Sequence, residues 1–305
     1  MSDANAGAGH VRLRGAIGQG VRGLLHVLIV AVGAYATVLA GLYLFQRHLL
    51  YHPSGGHPDP VLAGVPEMTA VSLTSADGLN LVSWYAAARN GAPTLVYFHG
   101  NAGHIGHRGF KVRPYLDAGW GAMLVGYRGY GGNPGAPSEA GLYADARAAL
   151  AFLDAEGVAA GRRFYYGESL GTGIAVRMAA EGAAKAAVGA VILEAPYTVI
   201  ADVAAEHYPF VPARRMMHDR FDAQSHIATI GAPLLVVHGE RDHVIPTHFG
   251  KSLFAAASEP KAAHWIETAG HNDLHDHGLA ERVLAFGAGL TATGAGTPHL
   301  PPVRQ

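Results

Sequence analysis

One stretch near the start of the chain has no alternation between apolar and polar positions. From Gly23 to Gln46 it carries no Asp, Glu, Lys or Arg, and Leu, Val, Ala and Ile fill it on every side, with His26 near its start. A helix rising ~1.5 Å per residue needs ~20 such residues to cross a ~30 Å hydrocarbon core. The pattern therefore predicts a transmembrane anchor over 23–46. A buried core helix would keep a polar face, and this stretch has none. A cleaved signal peptide is the other reading, with Leu24 to Val32 as its apolar region and Ala34-Tyr35-Ala36 as its cleavage site. The apolar run continues well past Ala36, which favours an uncleaved anchor.

Beyond the anchor the pattern changes. Residues 47–66 hold Pro53, Pro58, Pro60 and Pro66 and read as a connector. Ala70 to Thr74 and Leu79 to Ala86, around the turn Ala76-Asp77-Gly78, predict an antiparallel hairpin. Short apolar runs then recur at Thr94–Phe98, Ala122–Val125, Arg163–Tyr166, Val188–Leu193, Pro233–Val237 and His264–Glu267. Helix-length patterns, such as Leu142 to Leu153, lie between them. Strands alternating with helices imply an α/β fold with a mostly parallel, twisted sheet after an antiparallel start. The folded domain is expected over 67–290, and the Thr-, Gly- and Pro-dominated residues 291–305 as a disordered tail.

Charge and composition narrow the picture. The chain has 305 residues, a formal net charge of -1 and 15% charged residues. No long basic run occurs, so nucleic acid is not an expected partner. Cys is absent, which removes disulfides, thiolate metal sites and a cysteine nucleophile. Arg12, Arg14 and Arg22 precede the apolar stretch; after Arg47 no Lys or Arg occurs until Arg89. The positive-inside rule then places residues 1–22 in the cytoplasm and the domain on the opposite, extracytoplasmic side. Tyr43, Phe45 and Tyr51 suit the far interface. Oligomeric state is not legible.

The candidate chemistry centres on Gly167-Glu168-Ser169-Leu170-Gly171, which follows an apolar run and opens a helical pattern. In that context Gly-x-Ser-x-Gly is a sharp strand-to-helix bend that lifts the serine hydroxyl clear of the sheet. Asp242, in Gly239-Glu240-Arg241-Asp242, and His271, in Gly270-His271-Asn272-Asp273, follow in the order acid, then base. Ser169 is the candidate nucleophile, His271 its base and Asp242 the residue that holds the imidazole. Backbone N–H groups of Leu170 and Asn101 are the candidate oxyanion donors. His99, Glu168 and Glu194 are expected to be structural. Arg128 is expected to bond loop carbonyls, and Asp273 to cap the last helix. A metal reading would use His99, His104 and His107, or His271, His275 and His277 with Asp273 or Asp276. No His-Glu-x-x-His helix supports it, and neither metal nor cofactor is expected.

These motifs, with Phe98-His99-Gly100-Asn101-Ala102-Gly103, Tyr127-Arg128-Gly129-Tyr130-Gly131, Pro196-Tyr197 and Gln46-Arg47-x-Leu49-Leu50-Tyr51-x-Pro53, closely resemble one group. The chain is similar to the membrane-anchored alpha/beta-hydrolase-domain proteins of the bud-emergence-like branch, which also includes protein depalmitoylases. The resemblance covers residues 24–290 and departs at His104 and the His-rich run after His271. It implies an alpha/beta-hydrolase fold with a short cap at about 199–232, the triad Ser169, Asp242 and His271, and an oxyanion hole at Asn101 and Leu170. It also implies a serine hydrolase forming an acyl-enzyme from carboxylic esters or thioesters, lipid or acyl compounds near a membrane. An esterase for small soluble esters and a non-catalytic membrane scaffold are the alternatives.

Overall fold

The computed structural model describes residues 4–292, with side chains described over 22–290. The chain divides into two compact units, Met1–Gln46 and Arg47–Gln305. The described residues of the first lie in helix α1 (Ala4–Leu50), which also supplies the first four residues of the second. With no proline before Pro53, nothing interrupts the helix. Its Arg22–Leu50 part is long and apolar enough to cross a membrane by length and composition, and Leu24, Val30 and Leu44 are exposed.

The second unit is an α/β sandwich. Its strands are β1 (His52–Pro53), β2 (Thr69–Thr74), β3 (Asn80–Ala86), β4 (Thr94–Phe98), β5 (Ala102–Gly103), β6 (Gly121–Leu124), β7 (Arg163–Glu168), β8 (Ala190–Glu194), β9 (Leu234–Gly239) and β10 (Lys261–Ile266). Eight of them form one sheet in the order β10-β9-β8-β7-β4-β6-β3-β2. The run from β10 to β6 is parallel, and β3 and β2 are antiparallel. β1 and β5 pair separately, in parallel.

The helices are α2 (Gly109–Asp117), α3 (Glu139–Ala155), α4 (Leu170–Gly182), α5 (Ile200–His207), α6 (Ala213–Met216), α7 (Thr247–Ala256) and α8 (Leu279–Ala292). They cover both faces of the sheet, which is why the central strands are apolar throughout rather than alternating. Val96 and Phe98 of β4 join Leu142, Ala146, Ala149 and Leu153 of α3 and Ile174 of α4 in one core. Leu95 and Tyr97, on the other face, join Val112 and Leu116 of α2 and Val283 and Phe286 of α8. The 4-3-4 spacing on α3 is the apolar stripe of a helix lying on a sheet.

Three expectations are corrected here. Arg47 to Leu50, expected in the connector, are the last helical residues of α1. Tyr51, expected at a membrane interface, is 3% exposed and part of the domain core. The reason is its hydroxyl, which donates to Asp219 Oδ2 at 3.1 Å while its ring meets Phe221 edge-on. Helix α8 continues to Ala292; the rest of the expected tail, 293–305, lies outside the described residues.

Candidate active site

Loops after β4, β7, β9 and β10 carry Asn101, Ser169, Asp242 and His271. These strands run parallel, so their carboxyl ends share one edge of the sheet, the place where such sheets bind ligands. The bend after β7 is sharp. Ser169 has φ 51° and ψ −117°, a conformation that costs a non-glycine residue about 1–3 kcal/mol, and α4 begins at the next residue. Both flanking glycines are required sterically. A Cβ at Gly167 would stand 2.5 Å from Thr172 Cα, and one at Gly171 would stand 1.9 Å from the Phe98 carbonyl oxygen. The bend is pinned by Ser169 N–H donating to the Glu194 carbonyl at 2.9 Å.

His271 Nδ1 lies 2.7 Å from Asp242 Oδ2, and its Nε2 lies 3.0 Å from Ser169 Oγ. A carboxylate only accepts, so the proton sits on Nδ1 and Nε2 presents its lone pair to the serine hydroxyl. Asp242 is 4% exposed. Burial works to raise its carboxyl pKa, but hydrogen bonds with His238 and His271, and the Ile245 amide, outweigh burial and hold it well below the usual carboxylate range. Asp242 Oδ1 accepts from Val244 N–H at 2.8 Å and Ile245 N–H at 2.7 Å, so the same carboxylate closes the turn before α7. Asp273 does not cap the last helix. Its Oδ1 accepts from Gly270 N–H at 2.7 Å and so closes the His271 loop.

Sequence reasoning gave His238 no role. It is fully buried, and its Nε2 lies 3.2 Å from Asp242 Oδ2 and 2.9 Å from the Ile245 carbonyl. That carbonyl can only accept, so Nε2 carries a proton and is shared with the carboxylate. A histidine directly after the aliphatic run Leu234-Leu235-Val236-Val237, four residues before the acid, was the available signal.

The Asn101 loop stands beside the serine: a Cβ on Gly100 would lie 3.5 Å from Ser169 Cβ. Leu170 N–H is the first amide of α4, where the helix dipole favours an anion. The Asn101 side chain donates from Nδ2 to the Leu50 carbonyl at 2.9 Å. Its own carbonyl accepts from His52 N–H at 2.9 Å and Tyr130 Oη–H at 2.7 Å.

No protein-family model matches the chain. Among solved structures, a Pyrococcus furiosus esterase, Pf2001, superposes with TM-score 0.60 at 17% identity, covering 78% of this chain and 96% of its own. An alpha-beta hydrolase from Vibrio vulnificus gives TM-score 0.61 at 21% identity, covering 72% and 81%. An uncharacterised protein of Mycobacterium tuberculosis is 38% identical over 249 residues, 79% of this chain and 87% of its own. Protein bem46 of Schizosaccharomyces pombe is 30% identical over 264 residues, 82% and 85% of the two chains. The chain belongs to the alpha/beta-hydrolase family.

Around the serine the hydrolase buries a balanced ion cluster. Glu168 bonds Arg108 through both oxygens at 3.0 Å and accepts from Tyr97 Oη–H at 2.8 Å. Lys111 Nζ bridges Glu168 at 3.3 Å and Glu194 at 2.8 Å, and Glu194 accepts from Tyr166 Oη–H at 2.6 Å. Burial opposes ionisation of Glu168, but Lys111 and Arg108 outweigh it and hold the carboxyl well below its usual range. These contacts fix the end of β7 and assign both glutamates the structural place expected of them. Arg128 differs from expectation. It bonds carboxylates rather than carbonyls, with Asp145 and Asp77 both at 2.7 Å, because Asp145 is fully buried and needs a cation.

The remaining histidines of the hydrolase have separate partners. His99 is fully buried, its Nδ1–H donates to the Gly100 carbonyl at 2.8 Å, and its ring lies against Tyr127. The His104 and His107 rings stack 3.9 Å apart, and His275 meets the Phe110 ring. Among the described residues, no group of three or more His, Asp or Glu side chains is placed to hold a metal ion.

Proposed function

We propose that the chain is a membrane-anchored serine hydrolase that cleaves carboxylic esters or thioesters through an acyl-enzyme. One observation carries the reading: a single imidazole bridges Ser169 Oγ, at 3.0 Å, and a buried carboxylate, at 2.7 Å. Ser169 Oγ attacks the substrate carbonyl carbon while His271 Nε2 takes the hydroxyl proton. Asp242 stabilises the imidazolium that forms. The oxyanion is received by the N–H groups of Leu170 and Asn101, each worth about 3 kcal/mol in this role. As the tetrahedral centre collapses, His271 returns the proton to the departing alcohol or thiol. Water then attacks the acyl-enzyme with His271 as base; the bond from the acyl carbon to Ser169 Oγ breaks, His271 returns the proton to Oγ, and the carboxylic acid leaves.

Lipid or acyl substrates are the class we propose. The short cap, 199–232, holds only α5, α6 and a single further turn, which favours an open site over a deep sealed pocket. The arginines flanking 23–46 support an N-terminus in the cytoplasm and an extracytoplasmic domain. The test is a series of p-nitrophenyl esters of increasing acyl length, run with Ser169→Ala as the blank. Activity that rises with chain length and vanishes in the variant is expected. A preference for the shortest esters would point to small soluble substrates instead, and equal rates in both proteins would end the serine mechanism.

A further inference from the structure

Between Arg47 and Leu290 the large apolar side chains that remain exposed are unevenly placed. Leu62 and Phe210 are 89% and 84% exposed, and Phe110, Tyr208 and Val244 are each more than half exposed. These five lie toward the edge of the sheet that holds Ser169; Leu49, Val61 and Val82 are the other exposed ones in this range. Val244 lies two residues past Asp242. His207 Nε2 comes within 2.9 Å of the Val244 carbonyl, which ties Tyr208 and Phe210 of the cap to the same loop. Phe110 sits in the first turn of α2, against the ring of His275, four residues past His271. The Leu62 turn packs on that helix start, where a Cβ on Gly109 would meet the Ala63 carbonyl oxygen at 2.1 Å. Among the described residues, no exposed large apolar side chain lies in the loops at the opposite edge of the sheet.

We infer that this rim is a docking surface for a lipid bilayer, so that the mouth of the Ser169 site meets the membrane surface directly. The inference rests on the reading of residues 23–46 as a membrane anchor. Chain continuity argues for lipid as the occupant. The domain begins at Arg47, one residue past the apolar stretch, and the first residues of that domain already touch the site: the Leu50 carbonyl accepts from Asn101 Nδ2, and β1 pairs with β5 immediately after Asn101. The point where the chain leaves the span is therefore held at the same edge as the apolar rim. Tyr208, one of the rim's aromatic members, is of the kind enriched at membrane–water boundaries. Isolated exposed apolar residues need no explanation, but a set confined to one edge marks an interaction surface. A substrate acyl chain would then pass from the bilayer to Ser169 without crossing water.

The chain has no cysteine, so single-cysteine variants take one nitroxide each. Leu62→Cys, Phe210→Cys and, at the opposite edge, Glu156→Cys are compared in the full chain, one copy per phosphatidylcholine nanodisc. All three positions are exposed. Collisions with dissolved oxygen and with a water-soluble nickel chelate report the surroundings of each label. At 62 and 210 oxygen is expected to collide more than the chelate, and at 156 the order reverses. Chelate access at 62 and 210 equal to that at 156 would overturn the proposal. So would protection that appears only when two copies share a disc, since the rim would then join copies of this chain. The accessibilities are independent of catalysis: loss of Ser169 reactivity in the unsubstituted chain would remove the proposed chemistry and leave them standing.

Discussion

At the scale of single residues, Asp242 has two jobs, and they separate by experiment. It orients His271, and it closes the turn before α7 through the amides of Val244 and Ile245. Asp242→Asn keeps the shape but presents an amide to Nδ1, which favours the wrong imidazole tautomer. Esterase kcat is expected to fall about 10⁴-fold while thermal unfolding shifts little; a fall of only a few-fold would deny Asp242 its orienting role. His99 contributes to acid stability. Burial, then the nearby Arg108 charge, push its pKa from 6.5 down to about 3. The folded state therefore refuses a proton that the unfolded state accepts, so stability is complete above pH 6.5 and is lost as pH falls toward 3. One such group contributes about 2 kcal/mol of loss between about pH 7 and 5. His99→Gln should flatten that slope in denaturant titrations, and an unchanged slope would contradict the assignment. The meeting of Ser169, Asp242 and His271 was legible because each sits in a local motif directly after an apolar run. His238 and the Lys111 bridge were not, because their partners come from distant segments of chain.

At the scale of elements, the last turn of α1 and β1 form a brace between the cap and the Asn101 loop. Arg47 bonds Asp219 at 2.8 Å, and Tyr51 donates to the same carboxylate. Burial, with Asp219 close by, pushes the Tyr51 phenol far above its ordinary pKa, so it stays a donor. From this brace Leu50 and His52 hold the side chain and carbonyl of Asn101. Asp219→Asn should cost about 1–3 kcal/mol of stability. It should also lower kcat with KM unchanged, because the loop that carries a proposed oxyanion donor loses its support. Full kcat in a folded Asp219→Asn protein would show that the brace is structural only. The sequence pattern placed the hairpin and the central strands within a few residues, since buried strands read as short apolar runs between turns. It misread Tyr51, because an aromatic beside an apolar stretch looks the same whether it meets lipid or a buried carboxylate 168 residues away.

At the scale of the whole molecule, the family fixes the fold and the coarse chemistry, while the helix Arg22–Leu50, long and apolar enough to cross a membrane, and the apolar rim are the grounds for the proposed membrane setting. The parallel sheet was legible from the alternation of runs and helices. The placement of four loops at one edge followed from it, because parallel strands put all their carboxyl ends on the same side. The short cap at 199–232 is read from the resemblance alone, since nothing in its local pattern says what it covers. The central claim is that Ser169 is a nucleophile activated by His271. A fluorophosphonate probe tests it most directly, applied to the full chain in membranes and followed by mass analysis of the labelled peptide. The account predicts one adduct, on Ser169, that is lost in His271→Ala and after heat unfolding. A folded protein that takes no label, or takes it at another serine, would contradict it.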